Sequence, residues 1–386
     1  MTPGAHTQAA IELIDVILAA AQEGGAAADT LVSRYFAQRR YAGSKDRRAV
    51  RELVYAAIRL LGEVPATGRA AMLALVGEDP ALAATFDGTS HAPAPIAADE
   101  AAAVPGVMPG WQSERFAAAG LDASEQAALV DRAPLDVRVN RLQASAALPE
   151  GAPIPGLPDA LRLTAGTDLA PFAGIVEAQD AGSQAVTLAA EAQPGMTVID
   201  LCAGAGGKTI ALAAAMRNEG RIVASDVDRA RLSRLMPRAE RAGVTIAEPL
   251  LLDAGKEAAQ LVALMSSADV VLIDAPCSGT GTWRRNPEAR WRLTPARLDR
   301  FAATQRHVIS LGAPLVKPGG ALVYIVCSLL DPEGRDQVDA FLGAHPGWMA
   351  EPLALPFGRP HGAGLRLTPA HDGTDGFFVA RLRAPC

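Results

Sequence analysis

The sequence predicts an α/β fold, because strand-like and helix-like segments alternate through its C-terminal half. A glycine-rich turn follows the apolar run that ends in Asp200, and an alanine-rich amphipathic segment begins at Thr209. Such alternation is typical of a doubly wound, mostly parallel sheet, whose ligands bind beyond the carboxyl ends of the strands. The predicted strands are seven, at residues 197–201, 221–226, 245–252, 269–274, 320–327, 364–368 and 377–383.

The N-terminal part is predicted to be helical, because apolar residues recur at helical spacing, for example from Ala9 to Ala19. Strand-like alternation follows at 135–140 and again at 161–164. We therefore expect three parts. They are a helical, RNA-binding domain at 1–130, a small α+β connecting subdomain at 131–175 and an α/β catalytic domain at 176–386.

Composition narrows the class of protein. The chain has 386 residues and a formal net charge of -6, which does not by itself indicate nucleic-acid binding. No apolar run reaches the roughly 20 residues that span a bilayer, and the N-terminus lacks the pattern of a secretory signal. The cysteines form no C-x-x-C pair, so no metal site is expected. We expect a cytoplasmic protein that contacts no membrane.

One stretch departs from the acidic average. Residues 34–69, called the basic island below, contain nine Arg or Lys against three Asp or Glu. Two interpretations stay open. The island is either a solvated helix face or a surface that binds RNA phosphates.

The glycine-rich turn itself allows two interpretations. Gly207, Lys208 and Thr209 are the end of a phosphate-binding P-loop, but that pattern requires Gly where this chain has Cys202. The alternative is an S-adenosylmethionine site, in which the loop backbone receives the methionine carboxylate. The candidate cofactor-binding loop consists of Cys202, Ala203, Gly204, Ala205, Gly206, Gly207 and Lys208.

Two acids favour the second interpretation. Asp226 ends the second strand about 25 residues after the glycine loop, a spacing that suits a carboxylate on ribose hydroxyls. Asp253 ends the third strand, where it suits a contact to an adenine amino group. An acid at a strand end is also a common helix cap.

Two thiols follow the next two strands. Cys277 lies just after the strand that ends in Asp274, and Cys327 ends the following strand. A thiolate that adds to carbon 6 of a pyrimidine makes carbon 5 nucleophilic toward a methyl sulfonium. Asp274 would stabilise the charge that develops at ring nitrogen 3, and the second cysteine would assist release. For Lys208, the residues leave open whether it lowers a thiol pKa or contacts the base or the cofactor.

Arginines alternate with Trp283 and Trp291 in the segment after Cys277. Basic and aromatic residues together suit single-stranded RNA, whose bases stack on aromatic rings. The other interpretation is a packed tryptophan helix with a charged exterior.

These motifs together resemble the RsmB/Nop/Sun family of RNA cytosine-5 methyltransferases. The similarity is strongest over 176–386 and rests on residues 200–209, on 274–281 and on Cys327-Ser328. Residues 39–48 look like part of the NusB-like helical domain of the bacterial small-subunit ribosomal RNA enzyme. The loop departs from the commoner form at Gly204-Ala205, and Val326 stands where Thr is usual.

The resemblance implies a Rossmann-like, S-adenosylmethionine-dependent methyltransferase domain with a mostly parallel seven-stranded sheet, preceded by an all-α NusB-like domain. It makes Cys327 the nucleophile and Cys277 the release cysteine, and it places Asp226, Asp253 and Asp274 at the cofactor. The substrate it implies is a single-stranded or unfolded segment of 16S ribosomal RNA, methylated by a monomer. Transfer RNA is the alternative substrate. Two alternative classes of protein are a non-catalytic ribosome assembly protein and a nucleotide-hydrolysing P-loop protein, and Cys202 argues against the second.

Overall fold

A computed structural model describes residues 1–143 and 147–386 of the chain. These residues divide into two compact units. The first, called the helical unit, contains Met1–Arg132 and Thr282–Thr294. The second, called the α/β unit, contains Ala133–Gly281 and Pro295–Cys386. The division into three domains that we expected from the sequence stays a prediction.

The secondary structure of the described residues is as follows. The helices are α1 (Pro3–Glu23), α2 (Ala28–Ala37), α3 (Ser44–Leu60), α4 (Gly68–Glu78), α5 (Gly110–Ala118), α6 (Ala123–Ala128), α7 (Ala181–Leu188), α8 (Gly207–Ala215), α9 (Arg229–Leu232), α10 (Leu235–Arg241), α11 (Glu257–Leu261), α12 (Ala289–Arg292), α13 (Pro295–Gly312), α14 (Arg335–Ala344) and α15 (Pro369–Asp372). The strands are β1 (Leu135–Val139), β2 (Ala152–Pro153), β3 (Ala160–Leu163), β4 (Val176–Ala178), β5 (Thr197–Asp200), β6 (Arg221–Asp226), β7 (Ala247–Leu251), β8 (Ala268–Asp274), β9 (Val316–Val326), β10 (Met349–Glu351), β11 (Arg359–His361), β12 (Gly364–Leu367) and β13 (Phe377–Arg383).

The helical unit is organised around α1. Thr2 caps this helix by accepting a hydrogen bond from the Ala5 N–H, Pro3 occupies its first turn, and Gly24 ends it in a left-handed conformation. One side of α1 is apolar at helical spacing and is buried against residues of α3 and α4. The prediction that this region is helical is confirmed, and its helices fit the NusB-like domain that the resemblance implied.

The segment Thr282–Thr294 is part of the core of the helical unit. The side chains of Trp283, Arg290 and Trp291 are at most 7% exposed. The Trp283 ring packs edge-to-face on Phe116, and the Trp291 indole N–H donates to the Gly62 carbonyl over 3.1 Å. The interpretation of these tryptophans as RNA-stacking residues was therefore wrong, because their rings are already covered by protein.

The α/β unit contains two sheets. The smaller sheet has the order β2-β3-β1-β4 and is antiparallel throughout. It includes both strands that alternation predicted between residues 135 and 164. The larger sheet has the order β11-β12-β13-β9-β8-β5-β6-β7, and β10 pairs with β13.

The larger sheet matches the predicted Rossmann-like architecture, with one correction. It has nine strands where we predicted seven, because the short strands β10 and β11 pair at one side of it. Strands β9, β8, β5, β6 and β7 are parallel to one another, and the pairings that involve β10 to β13 are antiparallel, including that of β13 with β9. The loops that follow the five parallel strands therefore leave the sheet at a common edge. Among the described residues, no helix has the length and hydrophobicity that crossing a membrane requires.

Candidate active site

The glycine loop joins β5 to α8 and depends on glycine at the start of the helix. Gly206 precedes α8 with φ of 85°, in the left-handed region that residues with a Cβ rarely adopt. A Cβ on Gly206 would also lie 2.9 Å from the buried side chain of Leu235. The first turn of α8 thus begins close to the loop and directs its N–H groups toward the edge where the strands end.

Asp226 connects the end of β6 to this loop. One of its carboxylate oxygens accepts a 2.8 Å hydrogen bond from the Gly204 N–H, and the other accepts one of 2.7 Å from the Asp228 N–H. The side chain is 7% exposed. Each oxygen keeps a second lone pair, so the group can still accept a hydrogen bond from a ligand hydroxyl.

A cavity of about 450 Å³ opens at this edge of the sheet. That volume lies in the range of small-molecule sites. Five of the predicted site residues line it, namely Cys202, Asp226, Asp274, Cys277 and Cys327. They lie at or just after the carboxyl ends of four parallel strands, β5, β6, β8 and β9, which the sheet order brings together.

Lys208 and Asp274 form an ion pair within the site. The Lys208 ammonium donates to Asp274 over 2.7 Å and lies 5.8 Å from the centre of the Phe377 ring. Lys208 is 9% exposed, and Asp274 is partly exposed. The lysine therefore holds the carboxylate of Asp274 at the cavity wall.

The sulfur atoms of Cys277 and Cys327 are 3.3 Å apart and form a thiol–thiol hydrogen bond. That hydrogen bond and burial raise the pKa of the Cys277 thiol well above its usual value. Burial, together with the nearby carboxylates of Asp200, Asp226 and Asp274, raises the pKa of Cys202 in the same way.

The loops that carry the two thiols also approach each other through their backbones. The Gly281 N–H donates to the Cys327 carbonyl over 3.0 Å, and the Gly376 N–H donates to the Gly281 carbonyl over 2.8 Å. A Cβ on Gly281 would lie 2.0 Å from the Gly376 carbonyl oxygen, so no larger residue fits there. The glycine that ends the motif at 274–281 is thus required by packing.

Some predicted site residues do not line the cavity. Asp253 is exposed, and its backbone N–H donates to the Gln260 side chain over 2.7 Å. The cavity is lined instead by the preceding residue, Leu252. A cofactor contact of Asp253 therefore stays a prediction. The loop residues from Ala203 to Lys208 do not line this cavity either.

Sequence reasoning missed several residues of the site. Arg231, Glu257, Phe301, Thr304 and His307 all line the cavity. A Glu257 carboxylate oxygen lies 3.7 Å from the His307 Nε2. Burial acts to raise the Glu257 pKa, but backbone hydrogen bonds and His307 together outweigh it and hold the pKa below its usual value. Phe301, Thr304 and His307 lie on α13, where the sequence shows only that they share one side of a helix. That pattern does not indicate a ligand.

Comparison with known proteins decides the family. The model of the family described as 16S rRNA methyltransferase RsmB/F matches residues 186–383, about half of the chain. The chain belongs to this family. A relative from Sodalis glossinidius, named ribosomal RNA small subunit methyltransferase B, is 33% identical over 75% of this chain and 69% of its own.

Two further relatives carry the same kind of name. A protein from a Synechocystis species, named probable ribosomal RNA small subunit methyltransferase B, is 38% identical over 64% of this chain. One from Thermus thermophilus, named without "probable", is 40% identical over 50% of it. The matches span 60% and 46% of these relatives' lengths.

Solved structures agree with the fold. The crystal structure of PH0851 has a TM-score of 0.76 at 24% identity and covers 99% of both chains. That of NSun6 from Pyrococcus horikoshii has a TM-score of 0.62 at 20% identity and covers 72% of this chain and 98% of its own. The fold and the family are those of S-adenosylmethionine-dependent methyltransferases.

The residues present fit S-adenosylmethionine. Asp226 has free lone pairs at the carboxyl end of β6. In dinucleotide-binding α/β folds, the acid at the end of the second strand contacts a ribose. Leu252 supplies an apolar wall, and the start of α8 supplies N–H groups suited to a carboxylate. The loop lacks the first glycine of a P-loop, and a triphosphate is not needed to explain any of these groups.

Proposed function

We propose that this protein is an S-adenosylmethionine-dependent RNA cytosine-5 methyltransferase that acts on 16S ribosomal RNA. The observation that carries the proposal is the pair of thiols in contact at the wall of the cavity. Cys277 and Cys327 follow neighbouring parallel strands, and Asp274 lines the same cavity. A methyltransferase that acts on oxygen or nitrogen has no need of two thiols here, whereas pyrimidine carbon 5 has to be activated by a nucleophile.

The cofactor, when bound, supplies an electrophilic methyl group. In our proposal Asp226 holds its ribose, and the glycine loop from Cys202 to Lys208 receives its methionine carboxylate. Asp253 contacts the adenine amino group only if its exposed side chain turns toward the cavity.

The thiolate of Cys327 starts the reaction by adding to carbon 6 of cytosine. Electron density moves onto ring nitrogen 3, where the pair of Asp274 and Lys208 provides a hydrogen bond. Carbon 5 is then nucleophilic and would accept the methyl group that the bound cofactor supplies, with the methyl–sulfur bond breaking as the carbon–carbon bond forms. Once Cys327 is bonded to carbon 6, it no longer raises the Cys277 pKa, and Cys277 can lose its proton to solvent. The carbon 5 proton then passes to the Cys277 thiolate, the bond between carbon 6 and sulfur breaks, and Cys327 leaves as a thiolate.

RNA as the substrate is supported by the names of the relatives and by charge. In the α/β unit, four arginines on and beside α9 and α10 are exposed and form no ion pair among the described residues, namely Arg229, Arg231, Arg234 and Arg241. Arg231 lines the cavity as well. Unpaired arginines next to an active site in an acidic protein suit a phosphate backbone.

Methyl transfer from labelled S-adenosylmethionine to unmethylated 16S ribosomal RNA and to transfer RNA tests the proposal. We expect 5-methylcytosine in the 16S ribosomal RNA digest. Cys327→Ala should abolish the product, whereas Cys386→Ala, which changes an exposed cysteine outside the cavity, should retain it. Product in transfer RNA alone would correct the substrate, and a methylated base other than 5-methylcytosine would contradict the chemistry.

A further inference from the structure

Glu333 is a buried carboxylate behind the two thiols, in the turn before α14. Its side chain is fully buried, and no Lys, Arg or His forms an ion pair with it in the described parts of the chain. A buried charge without a cation is costly unless hydrogen-bond donors surround it. The donors around Glu333 therefore explain how its carboxylate is tolerated.

The first pair of donors comes from the loop of Cys277. The Ser278 N–H donates to one oxygen of Glu333 over 2.8 Å, and the Ser278 hydroxyl donates to the other. Ser278 directly follows Cys277, so these hydrogen bonds fix the backbone of the cysteine within one residue.

A further donor comes from the loop of Cys327. The Ser328 hydroxyl donates to Glu333 over 2.5 Å, and Ser328 directly follows Cys327. Gln305 on α13 completes the arrangement, because its side-chain N–H₂ donates to Glu333 over 3.1 Å and to the Pro276 carbonyl over 3.0 Å. One carboxylate is thus hydrogen-bonded to the residue that follows each cysteine.

We propose that Glu333 is a positioning residue for the thiol pair. By holding Ser278 and Ser328 together, its carboxylate keeps the sulfurs of Cys277 and Cys327 in contact. The proposal rests on the proposed function only where catalysis is the readout. Glu333 does not line the cavity and forms no hydrogen bond with either sulfur among the described contacts, so it positions the thiols through the two serines. Its negative charge also acts on Cys277 directly, by contributing to the raised pKa of that thiol.

Substitution by alanine and by glutamine separates positioning from charge. Glu333→Ala removes every hydrogen bond between the carboxylate and the two serines, and leaves only the 3.2 Å hydrogen bond that joins Ser278 to Ser328 directly. Glu333→Gln keeps the framework, because its oxygen still accepts from the Ser278 N–H and from Gln305, and serine hydroxyls can accept from its N–H₂ group. Glu351→Gln is a matched control, since it neutralises a partly buried carboxylate that pairs with Arg381 and Arg383 outside the site.

Disulfide formation between the thiols measures their proximity without RNA. Treatment with diamide removes one hydrogen from each thiol, forms the sulfur–sulfur bond and reduces the diazene to a hydrazine. Peptide mapping then follows the Cys277–Cys327 disulfide over time. We expect Glu351→Gln to react at a rate similar to that of the wild type, and Glu333→Gln to react at least as fast, because the Glu333 charge then no longer raises the Cys277 pKa. Glu333→Ala should react at least about tenfold more slowly, because misplacement by about 1 Å costs up to about 100-fold.

Catalysis provides the second readout. Glu333→Ala should lower kcat for methyl transfer while KM for S-adenosylmethionine stays near the wild-type value, and Glu333→Gln should recover most of kcat. A general structural defect would change both parameters. If Glu333→Ala does not fold, the double variant Ser278→Ala, Ser328→Ala provides the same test, because it removes both hydroxyl donors and keeps the carboxylate.

Disulfide formation in folded Glu333→Ala or in the serine variant at the wild-type rate would overturn the proposal. The two proposals fail separately. If the disulfide rates fall as expected but the wild type methylates no RNA, Glu333 positions the thiols and the proposed function is wrong. If the wild type makes 5-methylcytosine and the disulfide rates are all equal, the proposed function stands and the role of Glu333 is refuted.

Discussion

Asp200 ends the strand before the glycine loop, and its carboxyl group is completely buried. Burial raises the pKa of Asp200 to about 7, although a 2.7 Å hydrogen bond from the Thr209 hydroxyl opposes the rise. The native state therefore holds a proton on Asp200 between about pH 4 and pH 7, where the unfolded chain has lost it. In this window the free energy of unfolding falls as pH rises, because the native state binds more protons.

We predict that Asp200→Asn removes this dependence. The introduced amide stays neutral and can accept the Thr209 hydrogen bond. The wild type should therefore lose about 2 kcal/mol of its free energy of unfolding relative to the variant between pH 5 and pH 8. Urea unfolding at the two pH values measures the change. Asp299→Asn, at an exposed aspartate on α13, is the control and should show no such difference. If the free energy of unfolding changes equally with pH in the wild type and in both variants, the pH dependence does not come from Asp200.

Individual site residues could be predicted from the sequence where a reactive or charged side chain falls at the end of a predicted strand. Asp226, Cys277 and Cys327 follow apolar runs, and parallel strands bring such positions to one edge. Glu333 was not predictable in this way. Its hydrogen-bond partners lie up to 55 residues away in the sequence, and a glutamate at the start of a helix usually indicates only a favourable charge at the N-terminus.

The helices after β6 are the element that we expect to contact RNA in the α/β unit. Arg231, Arg234, Arg238 and Arg241 are spaced three or four residues apart, and Arg238 alone of these is paired, with Glu177 at 2.6 Å. Its other guanidinium nitrogen donates to the Ala205 carbonyl, which places this part of the helices beside the cofactor loop. Arg238 and Arg241 therefore share one side of α10, and Arg231 and Arg234 lie just before that helix.

We predict that Arg234→Glu weakens binding to 16S ribosomal RNA and leaves the affinity for S-adenosylmethionine unchanged. The slope of log affinity against log salt concentration should become shallower by roughly 0.7–0.9 for each phosphate that the protein no longer neutralises. Fluorescence anisotropy of labelled RNA at about 50 to 200 mM salt measures the affinity and the slope. Arg217→Glu is the matched control, because Arg217 is exposed after the other end of α8. Equal effects of the two reversals would mean that only net charge matters.

Elements were predictable when their hydrophobic pattern was long enough. The seven strands predicted for the C-terminal half are all present, with boundaries that differ by at most a few residues. Strands β10 and β11 were missed, because three residues cannot show an alternation and their pairing depends on β13 and β12. For the basic island on α2 and α3, exposure of several arginines leaves both original interpretations open.

At the scale of the whole molecule, the chain leaves the α/β unit after Gly281 and returns to it at Pro295. In between, Arg290 is buried in the helical unit and donates to three carbonyls, those of Pro287, Ile58 and Leu61, over 2.5 to 2.6 Å. Ile58 and Leu61 lie at the end of α3, where carbonyls lack partners within the helix. This insertion was not predictable, since a Trp- and Arg-rich segment is equally typical of an RNA-binding surface.

We predict that Arg290→Met destabilises the helical unit by at least about 2 kcal/mol, because buried carbonyls that lose their donor cost about 1–3 kcal/mol each. The methionine fills similar volume, so a cavity does not explain the loss. Thermal unfolding combined with limited proteolysis reports which unit melts first. The control is Arg51→Met at an exposed position of α3. An Arg290→Met protein as stable as this control would show that the three hydrogen bonds contribute little.

Trapping a covalent protein–RNA adduct tests whether Cys327 is the nucleophile and Cys277 the release residue. Cys277→Ala is mixed with S-adenosylmethionine and unmethylated 16S ribosomal RNA, and the products are separated on a denaturing gel beside Cys327→Ala and the double variant. We predict a slowly migrating protein–RNA band for Cys277→Ala alone, because Cys327 can add to cytosine but release lacks its base. A band that persists without Cys327 and requires Cys277 would contradict the proposed mechanism and reverse the two roles.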